Sequence, residues 1–128
     1  FIVDKEETEN IFLNDNELVE IYELDLSDFP KLDNARDLFL IGCYTGLRFS
    51  DYQELDLKKL TKENTLEVRQ KKTQKRLTIP FYHPIVLAIK EKYNGKTHNS
   101  LPRPISNQKL NKYIKEVGSM VSSLPDWI

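Results

Sequence analysis

Residues 35–46, ARDLFLIGCYTG, constrain the fold of this chain more than any other stretch. The middle of the run, LFLIGCY, carries no polar stripe, so a helix built from it must be mostly buried. Gly46 stops that helix, because glycine takes the left-handed conformation that other residues avoid. Two residues later comes Arg48, inside CYTGLRFSD, residues 43–51. One reading is a helix cap followed by a solvated arginine. The other is a turn that fixes one guanidinium at the edge of a rigid core, aimed at an anion.

The flanking sequence supplies covers for such a helix. FIVDKEETENIF, residues 1–12, is polar without clear periodicity and reads as a tail or linker. NDNELVEIYEL reads as a short helix capped by Asn14 or Asp15, with Leu18, Ile21 and Tyr22 on one side and an end near Asp25. LSDFPKLDN reads as a loop, broken at Pro30, in which Asp33 can cap the apolar helix. Phe49 to Leu55 reads as another short helix, followed by the charged loop DLKKLTKEN.

The period then changes. TLEVRQ and KRLTIPF are β-rich runs separated by KKTQ, a hairpin pattern with Leu66, Val68, Leu77 and Ile79 expected on one buried face. HPIVLAIKEKY returns to helix, with Pro84 in its first turn. NGKTHNSLPRP is a loop. Ser106 caps NQKLNKYIKEVG, whose Leu110, Tyr113, Ile114 and Val117 share a face. The expected fold is α+β and mainly helical: short helices around one β-hairpin of two to three antiparallel strands.

Bulk properties narrow the function classes. The 128 residues make at most one ordinary domain or part of a larger one, and 39% hydrophobic residues suffice for a real core. No apolar run approaches the roughly 18 residues that span a bilayer, and the start does not read as a signal peptide, so a cytoplasmic chain without a membrane partner is expected. The lone cysteine, Cys43, sits in the apolar run and is expected to be a buried structural thiol rather than a nucleophile. The net charge of −1 hides an asymmetry: residues 1–30 sum to −9, residues 31–68 to −1 and residues 69–128 to +9. A half that cationic can meet a polyanion, although a merely dipolar surface is the plainer alternative. RQKKTQKR, residues 69–76, concentrates five cations at the hairpin tip, where they either solvate a turn or deliver an ammonium to a phosphate.

Taken together, an apolar helix entering TGLR-x-S-D, a hairpin holding KKT and closing on IPF, and the ISNQKLNKYIKEVG helix resemble the catalytic domain of the tyrosine recombinases, the phage-integrase family. The likeness covers roughly residues 13–118 and is nearest to integrases of mobile elements. It implies DNA strand breaking and rejoining through a 3′-phosphotyrosine, on double-stranded DNA, as a homo-oligomer (a tetramer on DNA in the full-length protein), with no metal and no cofactor. By the same resemblance Arg48 is the first catalytic arginine and Lys72 the hairpin lysine that protonates the leaving oxygen, with Lys71 the alternative one position away. Asp51 is implied to orient Arg48, while Lys71, Thr73, Lys75 and Arg76 would contact DNA phosphates.

Other family features are missing from the sequence. Neither His83 nor His98 has an arginine three residues on, and both are expected on the surface or in loops. The tyrosines at 22, 44, 52, 82, 93 and 113 all precede the place of the nucleophile, and Tyr113 is expected to pack in the core. Residues 13–128 are therefore expected to be the N-terminal part of a catalytic domain, truncated before its His-x-x-Arg and tyrosine motifs and inactive alone. The first residue, Phe rather than Met, also suggests a piece of a longer chain. The competing readings are a binding module that keeps phosphate contacts through Arg48, the hairpin, Lys109, Lys112 and Lys115, and a purely structural helical domain.

Overall fold

Helix α2, Pro30–Thr45, is the centre of the molecule, and the other helices cover it. The structure, a computed structural model, describes residues 15–121 in full and, before them, the backbone of residues 2–4 and 10–12. Strands β1 (Ile2–Asp4) and β2 (Asn10–Phe12) pair antiparallel, with Val3 opposite Ile11. The segment expected as a tail thus contains a short ladder, which its β-branched residues favour over the coil that its polarity suggests. Helix α1 (Asp15–Glu23) follows, then α2, α3 (Phe49–Tyr52), a 3-10 turn at Leu57–Lys59, strands β3 (Thr65–Arg69) and β4 (Arg76–Pro80), α4 (Pro84–Tyr93) and α5 (Asn107–Ser119). The mainly helical α+β expectation is met, with two two-stranded antiparallel sheets among the described residues.

Helix α2 buries Leu32, Ala35, Leu38, Phe39, Leu40, Ile41 and Cys43, contributed from all round its circumference, so it can exist only as a central element. It contacts α1, α3, α4 and α5. Its start corrects the sequence reading. Pro30 opens the helix rather than breaking a loop, and Phe29, not Asp33, is the N-cap residue, without a side-chain cap. Proline is tolerated there because its missing N–H is one the first turn would leave unpaired anyway.

Polar groups inside this core are joined into one network. Arg36, 4% exposed, donates from Nη1 to the carbonyls of Ile21, Tyr22 and Leu24 at 2.9–3.0 Å, closing the C-terminal end of α1. Its Nε and Nη2 reach Asp37 at 2.8 Å and Asp33 at 2.7 Å. From α4, Lys92 bonds both carboxylates and the Tyr93 hydroxyl donates to Asp37 at 2.8 Å. Three helices are tied by this cluster.

The hairpin forms over the expected residues, with Val68 opposite Leu77 and Leu66 opposite Ile79. Its packing differs on one point. Leu66, Val68 and Ile79 are buried, whereas Leu77 is 36% exposed. At the Leu66–Ile79 pair both side chains are covered, whereas at the Val68–Leu77 pair only the β3 residue is. Helix α3 is also shorter than expected, one turn closing at Gln53.

The remaining caps are local. His83 accepts the Ile85 N–H at Nδ1 (3.2 Å) and caps α4 ahead of Pro84, while its ring stacks on Tyr44. Ser106 Oγ accepts the Lys109 N–H and starts α5 as expected. Helix α5 lays Leu110, Ile114 and Val117 on α2.

Candidate nucleic-acid interface

Gly46 has φ 70°, the left-handed value expected of it, and its N–H returns to the Gly42 carbonyl at 2.9 Å. Thr45 completes the stop, since its hydroxyl donates to the Gly42 carbonyl and accepts the Leu47 N–H, each at 3.3 Å. Arg48 then takes an extended backbone as the N-cap residue of α3, and its carbonyl accepts the N–H groups of Asp51 and Tyr52 at 2.9 Å. The main chain at Arg48 is therefore held on both sides while its side chain is exposed. Among the described residues that guanidinium has no hydrogen-bond or ion-pair partner. It lines a pocket of about 350 Å³ with apolar walls, including Phe39, Phe49 and Leu110, and two amides from α5, Asn107 and Asn111.

The pocket floor depends on Gly42. A Cβ there would meet the Tyr52 ring at 2.6 Å, so the absence of a side chain lets α3 close on α2. Tyr52 packs edge-on to Phe49, and burial raises its phenol well above the ordinary range. Cys43, 4% exposed, is a structural thiol as expected, with burial pushing it up to about 12.

Among the described residues, Asp51 makes no hydrogen bond or ion pair with Arg48. Its Oδ1 accepts the backbone N–H of Lys71 at 3.0 Å, and its Oδ2 is buried without a partner. Through that bond Asp51 pins the root of the hairpin turn to α3. The Lys71 ammonium pairs with Glu54 of the same joint. A second cleft of about 230 Å³ runs beside this joint, with Asp51, Glu54 and Glu67 facing Lys59, Arg69 and Lys71.

Around the turn, Thr73 spends its hydroxyl on Gln70 (2.9 Å) and on the Lys75 N–H (3.3 Å), and Arg76 approaches Glu67 at 3.5 Å. Lys72 and Lys75 are exposed and have no side-chain partner among the described residues. Asp51 and Lys71 share the helix–hairpin joint, Arg48 lines the neighbouring α2–α3–α5 pocket, and Lys72 lines neither cleft. Lys109, Lys112 and Lys115 are exposed on α5. His83 is a helix cap rather than a free surface group, and Tyr113 is half-buried against the core. The sequence marked the α5 helix by its Ser106 cap and apolar face, but nothing in it singled out Asn107 and Asn111 as pocket-lining amides.

Residues 11–123 match the model described as the phage integrase family. The chain belongs to that family. No curated protein and no solved structure matches it. For a phage integrase family member the implied partner is DNA. Among the described residues no helix is long and apolar enough to cross a membrane.

Proposed function

We propose that this phage integrase family chain grips a DNA phosphodiester with Arg48 and serves site-specific strand cutting and rejoining, of the kind carried out by integrases of mobile elements. The observation that carries the reading is the Arg48 guanidinium, free of partners among the described residues, at a pocket on a backbone held by the Gly46 stop and by α3. Electrostatic preorganisation of this sort favours the transition state of phosphoryl transfer, in which charge grows on the nonbridging oxygens. A tyrosine of the parent enzyme attacks phosphorus, the P–O5′ bond breaks, and Lys72 gives its proton to the leaving 5′ oxygen. Lys72 suits that task better than Lys71, whose ammonium is already paired with Glu54. Thr73, Lys75 and Arg76 extend the contact along the phosphates, and the assembly on DNA is a homo-oligomer.

The nucleophile in this reading comes from elsewhere in the parent. Tyr52 shares the Arg48 pocket but is buried under Gly42, Tyr44 and Tyr93 hydrogen-bond to Asp15 and Asp37, Tyr22 and Tyr113 pack on the core, and Tyr82, though exposed, does not line the Arg48 pocket. In this reading the chain alone binds and does not cut. A binding-only module is the second reading, favoured by the position of Lys72 outside both clefts.

Two measurements separate them. Duplex binding by the chain, followed from about 50 to 200 mM salt, should fall steeply, and Arg48→Ala should weaken it and flatten the salt slope by about one. In the longer parent enzyme, Lys72→Ala should slow cleavage on the order of 10²-fold, and a substrate with sulfur in place of the 5′ oxygen, which leaves without a proton, should restore the rate. Unchanged cleavage in Lys72→Ala removes Lys72 as the proton donor, a parent that binds duplex without cutting it leaves only the module, and binding indifferent to Arg48→Ala ends both readings.

A further inference from the structure

A cavity of about 490 Å³ opens on the opposite flank of α5 from Arg48. Lys109 and Tyr113 line it, each about 200° round the helix from Asn107 and Asn111. The walls are apolar and flat: Pro30, Tyr93, Pro104, Ile105 and Tyr113. Four cations, Lys31, Lys96, Arg103 and Lys109, stand around it, and among the described residues none of their side chains has a partner. The one carboxylate at its edge, Asp33, is already neutralised by Arg36 and Lys92.

The site is built rather than incidental. Asn34 of α2 grips the backbone of Arg103 at both its N–H and its carbonyl, each at 2.8 Å, and Thr97 donates to the Leu101 carbonyl at 2.9 Å. These bonds hold the 101–105 loop against α2.

We propose that this cavity binds a nucleotide, with its base against the apolar walls and its phosphate among Lys31, Lys96, Arg103 and Lys109. A peptide fits less well. It would bring an N–H and a C=O with every residue, and the polar groups that could answer them, Asn34 and Thr97, are spent on the loop. A base needs only flat contact, and aromatic faces give that without regard to sequence. The nucleotide is either free or the 5′-phosphorylated end of a single strand, since both present the same chemistry.

The test is calorimetric titration of the chain with dAMP, deoxyadenosine, inorganic phosphate and a 5′-phosphorylated tetranucleotide. The expected result is saturable dAMP binding at least about tenfold tighter than that of either half-molecule. Arg103→Ala combined with Lys109→Ala, both exposed positions, should weaken it about tenfold or more, and Arg48→Ala should leave it unchanged while reducing duplex binding. A tetranucleotide tighter than dAMP identifies a strand end, and a weaker one identifies free nucleotide. The proposal is overturned if phosphate binds as well as dAMP, which is an ion effect only, or if Arg48→Ala removes dAMP binding, which places it on the other face. Duplex binding can fail with dAMP binding intact, so the two sites stand or fall separately.

Discussion

Asp51 and Lys71, twenty positions apart, are joined by a 3.0 Å hydrogen bond from the Lys71 backbone N–H to a carboxylate that is 95% buried, with its other oxygen unpartnered. That bond couples the turn after Arg48 to the hairpin bearing Lys72. The two cations at the centre of the proposed function are thus linked through a residue that touches neither ammonium nor guanidinium.

Asp51→Ala should therefore loosen the hairpin before anything else. Removing the acceptor leaves the Lys71 N–H unsatisfied at a partly buried site, a loss of roughly 1–3 kcal/mol. Amide exchange at Lys71 should accelerate while α5 stays protected. Asp51→Asn keeps an acceptor in place and should cost less. Unaltered exchange at Lys71 in the alanine variant would sink this role.

Gly42→Ala should destabilise by roughly 1–3 kcal/mol, because the new Cβ collides with the Tyr52 ring at 2.6 Å. The collision is with one side chain, so Tyr52→Leu in the same background should recover part of the loss. Denaturant melts of the two single variants and the double variant measure the coupling. Simple additivity would show that the two helices do not meet as described.

Arg36→Ala should be among the costliest single changes, on the order of 3–5 kcal/mol, because it strips a cation from the fully buried Asp37 and reopens the end of α1. Lys92→Met, at a half-exposed position, should cost much less. Thermal or urea denaturation ranks them, and a loss below about 1 kcal/mol for Arg36→Ala contradicts the clamp.

The pH dependence should appear on the alkaline side. Burial lifts the Cys43 thiol from 9.0 to about 12, so the folded state prefers the protonated form. The stability this gives is whole below pH 9 and is lost as pH rises from 9 towards 12. Burial, and then the neighbouring Asp37, raise the Tyr93 phenol in the same sense. For Lys92 burial works in the lowering direction, but the hydrogen bonds to Asp33 and Asp37 outweigh it and the ammonium is raised too. Unfolding free energies measured from pH 7 to 11 should decline above 9, and Cys43→Ala should shallow that decline. An identical alkaline limb in the variant would remove the thiol from the account.

The sequence by itself determined the parts that depend on near neighbours. A left-handed stop at Gly46, a hydroxyl cap at Ser106, a proline in the first turn of α4 and the alternation in TLEVR and RLTIP each need only a few adjacent residues, and each stands where its residue type requires. The TGLR-x-S-D and hairpin residues also carried the family, which spans residues 11–123. Only the tertiary structure decided what those residues face. Whether Asp51 meets a guanidinium or a distant N–H, whether Leu77 is covered, and why Gly42 must lack a side chain depend on contacts between elements remote in the chain. Such contacts leave no local period to read. Composition marked the cations, but packing sorted them: Lys71 and Lys92 into ion pairs, Arg48 and Lys72 without partners among the described residues, and Lys109 turned to the far side of its helix.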